Sequence, residues 1–300
     1  MYHPHMQHTR ALRRLGLWIV VGFAAALGAG ASAQTTVKEP SPVPTASPSP
    51  FEAGSVTIES GESFGYRLLT PPADAEQPEG GWPLIVFLHG AGERGDDNRA
   101  QLRHFPERMA EYDDRFPCFV LAVQCPKGGR WADYEWSRIP EVDADSPTSI
   151  EREPLGPMRG AMAAIEEVVA ERPIDLHRIT LTGLSMGGFG SWDLAARKPD
   201  WFAAVAPICG GGDPRVAERY KGLPFWVWHD EGDPVVPVAL SQRMVEAAKA
   251  AGVDVRYSEV SGHGHASWVP AYEADKLPAW LLSHRRDEPS EELAALRAQD

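Results

Sequence analysis

The order of apolar and polar residues predicts short strands separated by helices. Residues 55–58 and 63–69 flank Gly61 and are typical of two strands joined as a hairpin. Apolar runs follow at 84–88, 119–123, 202–208 and 225–228, with shorter strand-like segments at 178–182 and 255–260. A strand that is apolar at every position is buried on both faces, as in a parallel sheet covered by helices. The sequence therefore predicts an α/β protein with a mostly parallel central sheet and helices on both faces.

Helical segments fall between these strands. We expect helices over 99–112, 189–197, 241–251 and near 274–283. A further helix is indicated by apolar residues at helical spacing, which are Met158, Met162, Ile165 and Val169. The segment 126–157 shows no periodicity and is longer than most loops in a compact domain, so we expect a loop with a function.

Residues 1–33 predict a secretory signal peptide. Three arginines precede the apolar stretch 15–29, and Ala31-Ser32-Ala33 has the form of a cleavage site. The alternative is a retained anchor, but the stretch is shorter than the ~20 residues that a membrane helix requires. We therefore expect cleavage near Ala33, a secreted or periplasmic protein, and no membrane span after cleavage.

Three segments are predicted beyond the cleavage site. Residues 34–52 are rich in Pro, Ser and Thr and predict an extended linker. Residues 53–286 carry the strands and helices and predict one catalytic domain. Residues 287–300 predict a charged tail with an exposed helix.

Charge and cysteine content bear on the partners of the protein and on its disulfides. The net charge of -13 at pH 7 argues against nucleic acid or an anionic membrane surface as a partner, so we expect neither. Cys118 and Cys125 bracket one predicted strand and would lie roughly 20 Å apart at ~3.3 Å per residue, too far for a disulfide. With Cys209 as the third cysteine, we expect buried free thiols.

Reactive side chains follow four of the predicted strands directly. They are found at 89–93, at Ser185, at 230–233 and at 263–265. Because the carboxyl ends of parallel strands meet at one edge of a sheet, we expect these groups to lie close together. Ser185 lies in the Gly-x-Ser-x-Gly sequence 183–187, between a predicted strand and a predicted helix, which is the context of a nucleophile elbow.

A serine hydroxyl needs an imidazole to take its proton and an acid to orient that imidazole. The acid is Asp233 or Asp230, and the base is His265 or His263, each following Ser185 in the chain. A zinc site built from His229, Asp230, Asp233, His263 and His265 is not favoured, because their spacing matches no compact ligand motif.

The sequence resembles the α/β-hydrolase superfamily from about residue 54 to 282. Within it, the chain is similar to secreted feruloyl and acetylxylan esterases, to polyhydroxybutyrate depolymerases and to prolyl-oligopeptidase-like peptidases. The resemblance rests on Leu-His-Gly-Ala-Gly-Glu-Arg-Gly at 88–95, Gly-Leu-Ser-Met-Gly-Gly at 183–188, Asp-Pro-Val-Val-Pro at 233–237 and Gly-His-Ala-Ser-Trp at 264–268. It implies the α/β-hydrolase fold, with Ser185 as nucleophile, Asp233 as acid and His265 as base.

The resemblance also implies an oxyanion hole from the backbone N–H groups of Ala91 and Met186. Trp131 and Trp136 are the predicted substrate-binding residues, since they lie in the long loop and aromatic faces suit aryl rings and sugars. The implied function is hydrolysis of a small-molecule or polysaccharide-linked ester, possible substrates being feruloyl or acetyl esters, with no cofactor and no metal. The alternatives are a single-domain serine peptidase and a non-catalytic carbohydrate- or surface-binding scaffold.

Overall fold

The computed structural model describes residues 49–139, 141 and 143–298. The predicted signal peptide at 1–33 and linker residues 34–48 lie outside the described residues. Phe51 and Glu52, which we assigned to the linker, belong to the first strand, where Phe51 is buried against the sheet.

Eight strands form a single sheet, in the order β1-β2-β4-β3-β5-β6-β7-β8. β1 and β2 form the expected antiparallel hairpin, β2 pairs antiparallel with β4, and the remaining neighbours are parallel. The strands are β1 Phe51–Thr57, β2 Ser63–Leu69, β3 Trp82–Leu88, β4 Phe119–Val123, β5 Ile174–Leu184, β6 Ala204–Ile208, β7 Phe225–Asp230 and β8 Val255–Val260. The prediction of a mostly parallel sheet is confirmed.

Seven α-helices are found among the described residues. They are α1 Phe105–Glu111, α2 Gly156–Glu171, α3 Met186–Arg197, α4 Ala239–Ala250, α5 Trp268–Ala271, α6 Leu277–Ser283 and α7 Glu291–Arg297. The single helix expected over 99–112 is wrong, because the backbone of His104 has φ 71° and ψ -92°, which no helix accommodates. A short 3-10 turn at Ala100–Leu102 and helix α1 flank this residue instead.

The central strands bury side chains on both faces, as their apolar runs predict. On β3, Leu84 and Val86 pack with one buried cluster while Ile85 and Phe87 pack with another. Helices α2 and α3 cover the first face, and α1 and α6 cover the second. Since side chains alternate along a strand, this division follows directly from the strand geometry.

The C-terminal tail is helical, as expected, but one side of it is buried. Leu293 on α7 is fully buried, and Glu292 accepts a hydrogen bond from Nε1 of Trp201 at 2.9 Å. Arg297 donates to the backbone carbonyl of Ile174 at 2.6 Å. The expectation of an exposed helix is therefore wrong for this side of α7.

Two arginines hold the long loop 126–157 against the domain. Arg215 donates to the carbonyl oxygens of Asp143 and Ser146, both at 2.8 Å, and pairs with the carboxylate of Asp213. Arg197 donates to the carbonyl of Ser149 at 2.6 Å. The described residues of this loop form little regular structure beyond a 3-10 turn at Ser149–Glu151, so these contacts position it.

All three cysteines are free and buried, which confirms the expectation from their spacing. Burial raises the pKa of the Cys118 and Cys125 thiols to about 12. Within the described ranges, no helix combines the length and the apolar character needed to cross a membrane.

Candidate active site

Ser185 lies in a sharp turn between β5 and α3, with φ 53° and ψ -117°. This region of backbone space is unfavourable for any residue with a Cβ. The glycines around it allow the turn to close: a Cβ on Gly187 would lie 1.8 Å from the Leu88 carbonyl oxygen, and one on Gly183 would lie 2.4 Å from the Gly187 carbonyl oxygen. The Gly-x-Ser-x-Gly sequence is thus a steric requirement of this turn.

The structure brings Ser185, His265 and Asp233 together in a chain of hydrogen bonds. Oγ of Ser185 lies 2.9 Å from Nε2 of His265, and Nδ1 of His265 lies 2.8 Å from Oδ2 of Asp233. Each residue follows a different strand, Ser185 after β5, Asp233 after β7 and His265 after β8. The side chain of Asp233 has no exposed surface, while that of His265 is 22% exposed.

Four donors surround the carboxylate of Asp233. Oδ1 accepts from the backbone N–H groups of Val235 and Val236 at 2.8 and 3.0 Å. Oδ2 lies 2.8 Å from His265 and 3.2 Å from Nε2 of His229. Burial alone would raise the pKa of Asp233, but the hydrogen bonds from His229, His265 and the backbone outweigh it and hold this pKa well below its usual range.

The two alternative residues brace neighbouring loops. Asp230 is buried and accepts from the backbone N–H of Gly232 at 2.8 Å and from that of His263 at 2.7 Å. His263 is exposed and contributes its backbone to this contact. The hydrogen-bonded chain to Ser185 runs through Asp233 and His265.

Ser185 opens into a cavity of about 320 Å³, called the Ser185 cavity below. Ala91 and Met186, the predicted oxyanion-hole residues, both line it. Met186 is the first residue of α3, whose N-terminus carries the positive end of the helix dipole. Both residues therefore lie beside Ser185 in the cavity wall, where the N-terminus of α3 provides a field that favours negative charge.

Comparisons with known proteins agree with this geometry. The family model for the Dienelactone hydrolase family matches residues 152–285, which is less than half of the chain. A crystal structure of a thermostable esterase is 39% identical and superimposes with a TM-score of 0.69, covering 79% of this chain and 64% of that one. The chain is a member of the α/β-hydrolase superfamily.

Two further comparisons concern a relative found by sequence and a solved structure of low sequence identity. NocK of Nocardia uniformis subsp. tsuyamanensis, provisionally named an esterase, is 28% identical over 243 residues, which are 75% of this chain and 65% of NocK. A ferulic acid esterase structure is 14% identical with a TM-score of 0.55, covering 78% of this chain and 98% of that one, and shows the fold alone. This α/β-hydrolase thus spans less than two thirds of NocK and of the thermostable esterase chain.

Of the two tryptophans predicted to bind substrate, Trp136 lines the Ser185 cavity and Trp131 does not. Trp131 is fully buried, and its Nε1 donates to the carbonyl of His89 at 2.9 Å. The prediction for Trp131 is therefore wrong, because this ring packs between the long loop and the loop that follows β3.

His89 holds that second loop in place. Its Nδ1 donates to the carbonyl of Gly90 at 2.7 Å, and its Nε2 accepts from the backbone N–H of Cys125 at 2.9 Å. Burial lowers the pKa of His89 to about 4, so the ring is neutral at pH 7. The loop that carries Ala91 is thus fixed by a neutral, fully bonded imidazole.

Sequence reasoning assigned no role in the site to four of its residues. Glu93, His104 and Trp268 line the Ser185 cavity, and His229 contacts Asp233 from behind. Glu93 and Trp268 lie inside the motifs that carried the family resemblance, so their positions were a usable signal. His104 carried no such signal, because only the fold brings it to the cavity.

Three groups of the kind that bind metals meet at the site. Atoms of Cys209, Asp233 and His265 lie within 4.8 Å of one another. The Asp233 and His265 atoms are already engaged in the hydrogen-bonded chain, and burial raises the pKa of the Cys209 thiol. A protonated thiol is a poor metal ligand, so these residues suit proton transfer better than metal binding.

Proposed function

We propose that this α/β-hydrolase is a serine esterase that cleaves carboxylic esters through a covalent acyl-enzyme. The observation that carries the proposal is the continuous hydrogen-bonded chain from Ser185 through His265 to Asp233, which ends at an open cavity. The esterase names of NocK and of the thermostable esterase support the same reaction class.

The first half of the proposed reaction forms the acyl-enzyme. Nε2 of His265 takes the proton of Ser185 as Oγ attacks the ester carbonyl carbon. The N–H groups of Ala91 and Met186 stabilise the negative oxygen of the tetrahedral intermediate. The carbon–oxygen bond to the alcohol then breaks, and His265 gives its proton to the leaving alkoxide.

Water completes the cycle. His265 takes a proton from a water molecule, the resulting hydroxide attacks the acyl carbon, and Oγ of Ser185 leaves with a proton returned by His265. Asp233 stays ionised throughout because its pKa is held low, so it orients His265 and stabilises the imidazolium.

The proposal extends to the substrate and to the location of the enzyme. Trp136 and Trp268 line the Ser185 cavity and suit an aryl or sugar group, which supports a feruloyl or acetyl ester on a polysaccharide. The predicted signal peptide supports export. Fusing residues 1–33 to a reporter that is active only outside the cytoplasm tests export, and an inactive fusion would contradict it.

Replacing the nucleophile tests the reaction itself. The wild type should hydrolyse p-nitrophenyl acetate and react covalently with a fluorophosphonate probe, and Ser185→Ala should do neither. Retained turnover in Ser185→Ala would remove the assignment of the nucleophile. Faster cleavage of an aminoacyl anilide than of the matched ester would favour a peptidase instead.

A further inference from the structure

Glu93 places a carboxylate in the wall of the Ser185 cavity. Its side chain is 9% exposed, and it follows Ala91 by two residues in the same 3-10 turn, Ala91–Glu93. Oε2 lies over the turn, 2.9 Å from the position that a Cβ on Gly90 would occupy. A buried carboxylate therefore lies beside the loop that we propose to stabilise the oxyanion.

A negative charge at this place opposes the reaction unless it is balanced. The developing oxyanion is itself negative, so an uncompensated carboxylate nearby would raise the barrier. The ring of His104 lies beside this carboxylate, with its Nε2 3.6 Å from Oε1 of Glu93. Burial acts to raise the pKa of Glu93, but hydrogen bonding to His104 and its charge outweigh burial and leave this pKa below its usual value.

The carboxylate has unused capacity to accept hydrogen bonds. Across the described part of the chain, the ring of His104 is the one side-chain partner of the Glu93 carboxylate. An ionised carboxylate offers about four acceptor positions, and buried polar groups normally find partners. Because Glu93 lines the Ser185 cavity, a bound substrate can reach the acceptor positions that remain.

The surroundings of His104 tie this pair to the reacting groups. His104 has φ 71°, a conformation that side chains rarely adopt, and this turn of the backbone places it in the cavity wall. Its ring lies 5.2 Å from that of Trp268, which in turn meets the ring of His265 edge-on at 5.4 Å. Strained residues that persist in a fold cluster at functional sites.

We propose that Glu93, held by His104, accepts a hydrogen bond from a hydroxyl group of the substrate close to the scissile ester. This inference rests on the proposed esterase function and names a substrate class for it, hydroxyl-bearing esters. Trp136 and Trp268 form apolar parts of the same wall and accommodate the carbon skeleton of the ester.

Matched ester pairs test the proposal with the intact enzyme. Ethyl propionate and ethyl lactate differ by a hydroxyl on the acyl side, and ethyl butyrate and 2-hydroxyethyl butyrate differ by one on the alcohol side. Each kcat/KM is divided by the rate constant of alkaline hydrolysis, which removes the intrinsic reactivity of the ester. The wild type should prefer the hydroxylated ester of one pair by about 10- to 100-fold, the effect of one hydrogen bond to a charged group.

Variants then assign the preference to Glu93. Glu93→Leu removes the acceptor and should bring the ratio close to one. Glu93→Gln keeps an acceptor oxygen without the charge and should retain part of the preference. If the leucine variant does not fold, the reduced preference of Glu93→Gln is the test. Glu107→Gln, at an exposed position on α1, is the matched control and should keep the wild-type ratio.

Several results would overturn the proposal. Equal corrected values for both pairs in the wild type would do so, as would a preference that survives in Glu93→Leu. Butyrylcholine carries a positive charge and no hydroxyl. If it is preferred over 2-hydroxyethyl butyrate and Glu93→Leu abolishes this, the group recognises charge and the hydroxyl proposal is wrong. Failure of the esterase function itself looks different, because the wild type would then hydrolyse none of these esters and Ser185 would not react with the fluorophosphonate probe.

Discussion

The buried ring of His229 contacts the same oxygen of Asp233 that orients His265, with Nε2 of His229 at 3.2 Å from Oδ2. The other ring nitrogen of His229 lies 2.7 Å from Oγ of Ser241, which itself donates to the carbonyl of Gly210 at 2.7 Å. Nε2 also lies 3.0 Å from the carbonyl oxygen of Val236, so acceptors lie at both ring nitrogens and Asp233 shares Nε2 with this carbonyl. The acid of the site is held by two histidines rather than one.

Removing this second histidine should weaken catalysis without abolishing it. We expect His229→Leu to lower kcat by about tenfold to a hundredfold with little change in KM, since a hydrogen bond to a charged group is lost away from the substrate. The pKa of Asp233 should also rise, because a donor that lowers it is gone. The remaining donors, His265 and the backbone N–H groups of Val235 and Val236, still keep this carboxyl ionised at neutral pH.

Steady-state kinetics at pH 8 measure kcat and KM. Ser241→Ala keeps the imidazole and serves as the control, with a smaller expected loss of kcat. A His229→Leu variant with the kcat of the wild type would show that the contact with Asp233 has no part in orienting it.

The neutral state of His89 predicts a loss of stability in mild acid. Its pKa falls from an ordinary 6.5 to about 4 on folding, so the unfolded chain binds the proton more readily. Stability is therefore complete above pH 6.5 and decreases as pH falls toward 4, by about 3 kcal/mol from this one group.

Urea unfolding at pH 7 and pH 4 compares the wild type with His89→Gln. The glutamine variant should be less stable at pH 7, but its stability should fall by about 3 kcal/mol less between the two pH values. His263→Gln, at an exposed position, controls for the loss of a histidine as such. An unchanged pH dependence in His89→Gln would mean that His89 does not titrate as described.

The strained backbone of Ser185 predicts that the nucleophile lowers the stability of the fold. Glycine adopts φ 53° readily, so Ser185→Gly should be more stable than Ser185→Ala by about 1 kcal/mol, although both are inactive. Thermal and chemical unfolding of the two variants measure this difference directly. An alanine variant as stable as the glycine variant would argue against stored strain at this turn.

The contacts of Arg215 predict how firmly the long loop is held. Arg215→Gln removes donors to Asp143 and Ser146, so limited proteolysis between residues 133 and 152 should become at least about fivefold faster, because protease sites open by local unfolding. Arg108→Gln, which removes an exposed pair with Glu111, should leave the cleavage rate unchanged. Equal cleavage rates in Arg215→Gln and the wild type would show that other contacts hold the loop.

The sequence was sufficient where a local rule decides the outcome. Apolar runs predicted the buried strands, because a strand covered on both faces buries the side chain at every position. The elbow was predictable because its glycines are dictated by contacts with neighbouring backbone, as at Gly187. The sequence predicted that Ser185, Asp233 and His265 lie close together, because the carboxyl ends of parallel strands meet at one edge of the sheet.

Long-range packing decided the features that the sequence did not predict. The helix expected over 99–112 is interrupted at His104, whose backbone conformation goes with a place in the cavity wall. Trp131 and Trp136 look alike in the sequence, yet one is buried against His89 and the other lines the cavity. Local patterns give no information on which of two nearby tryptophans the fold will bury.

The three residues of the hydrogen-bonded chain come from the ends of β5, β7 and β8, so the site requires the contiguous strands β5 to β8. Ser185 and His265 are 80 residues apart in the chain and meet only after β6 and β7 have been laid between their strands. Regain of ester hydrolysis during refolding should therefore report completion of this half of the sheet. Activity should therefore recover later in refolding than the spectroscopic signal of the helices.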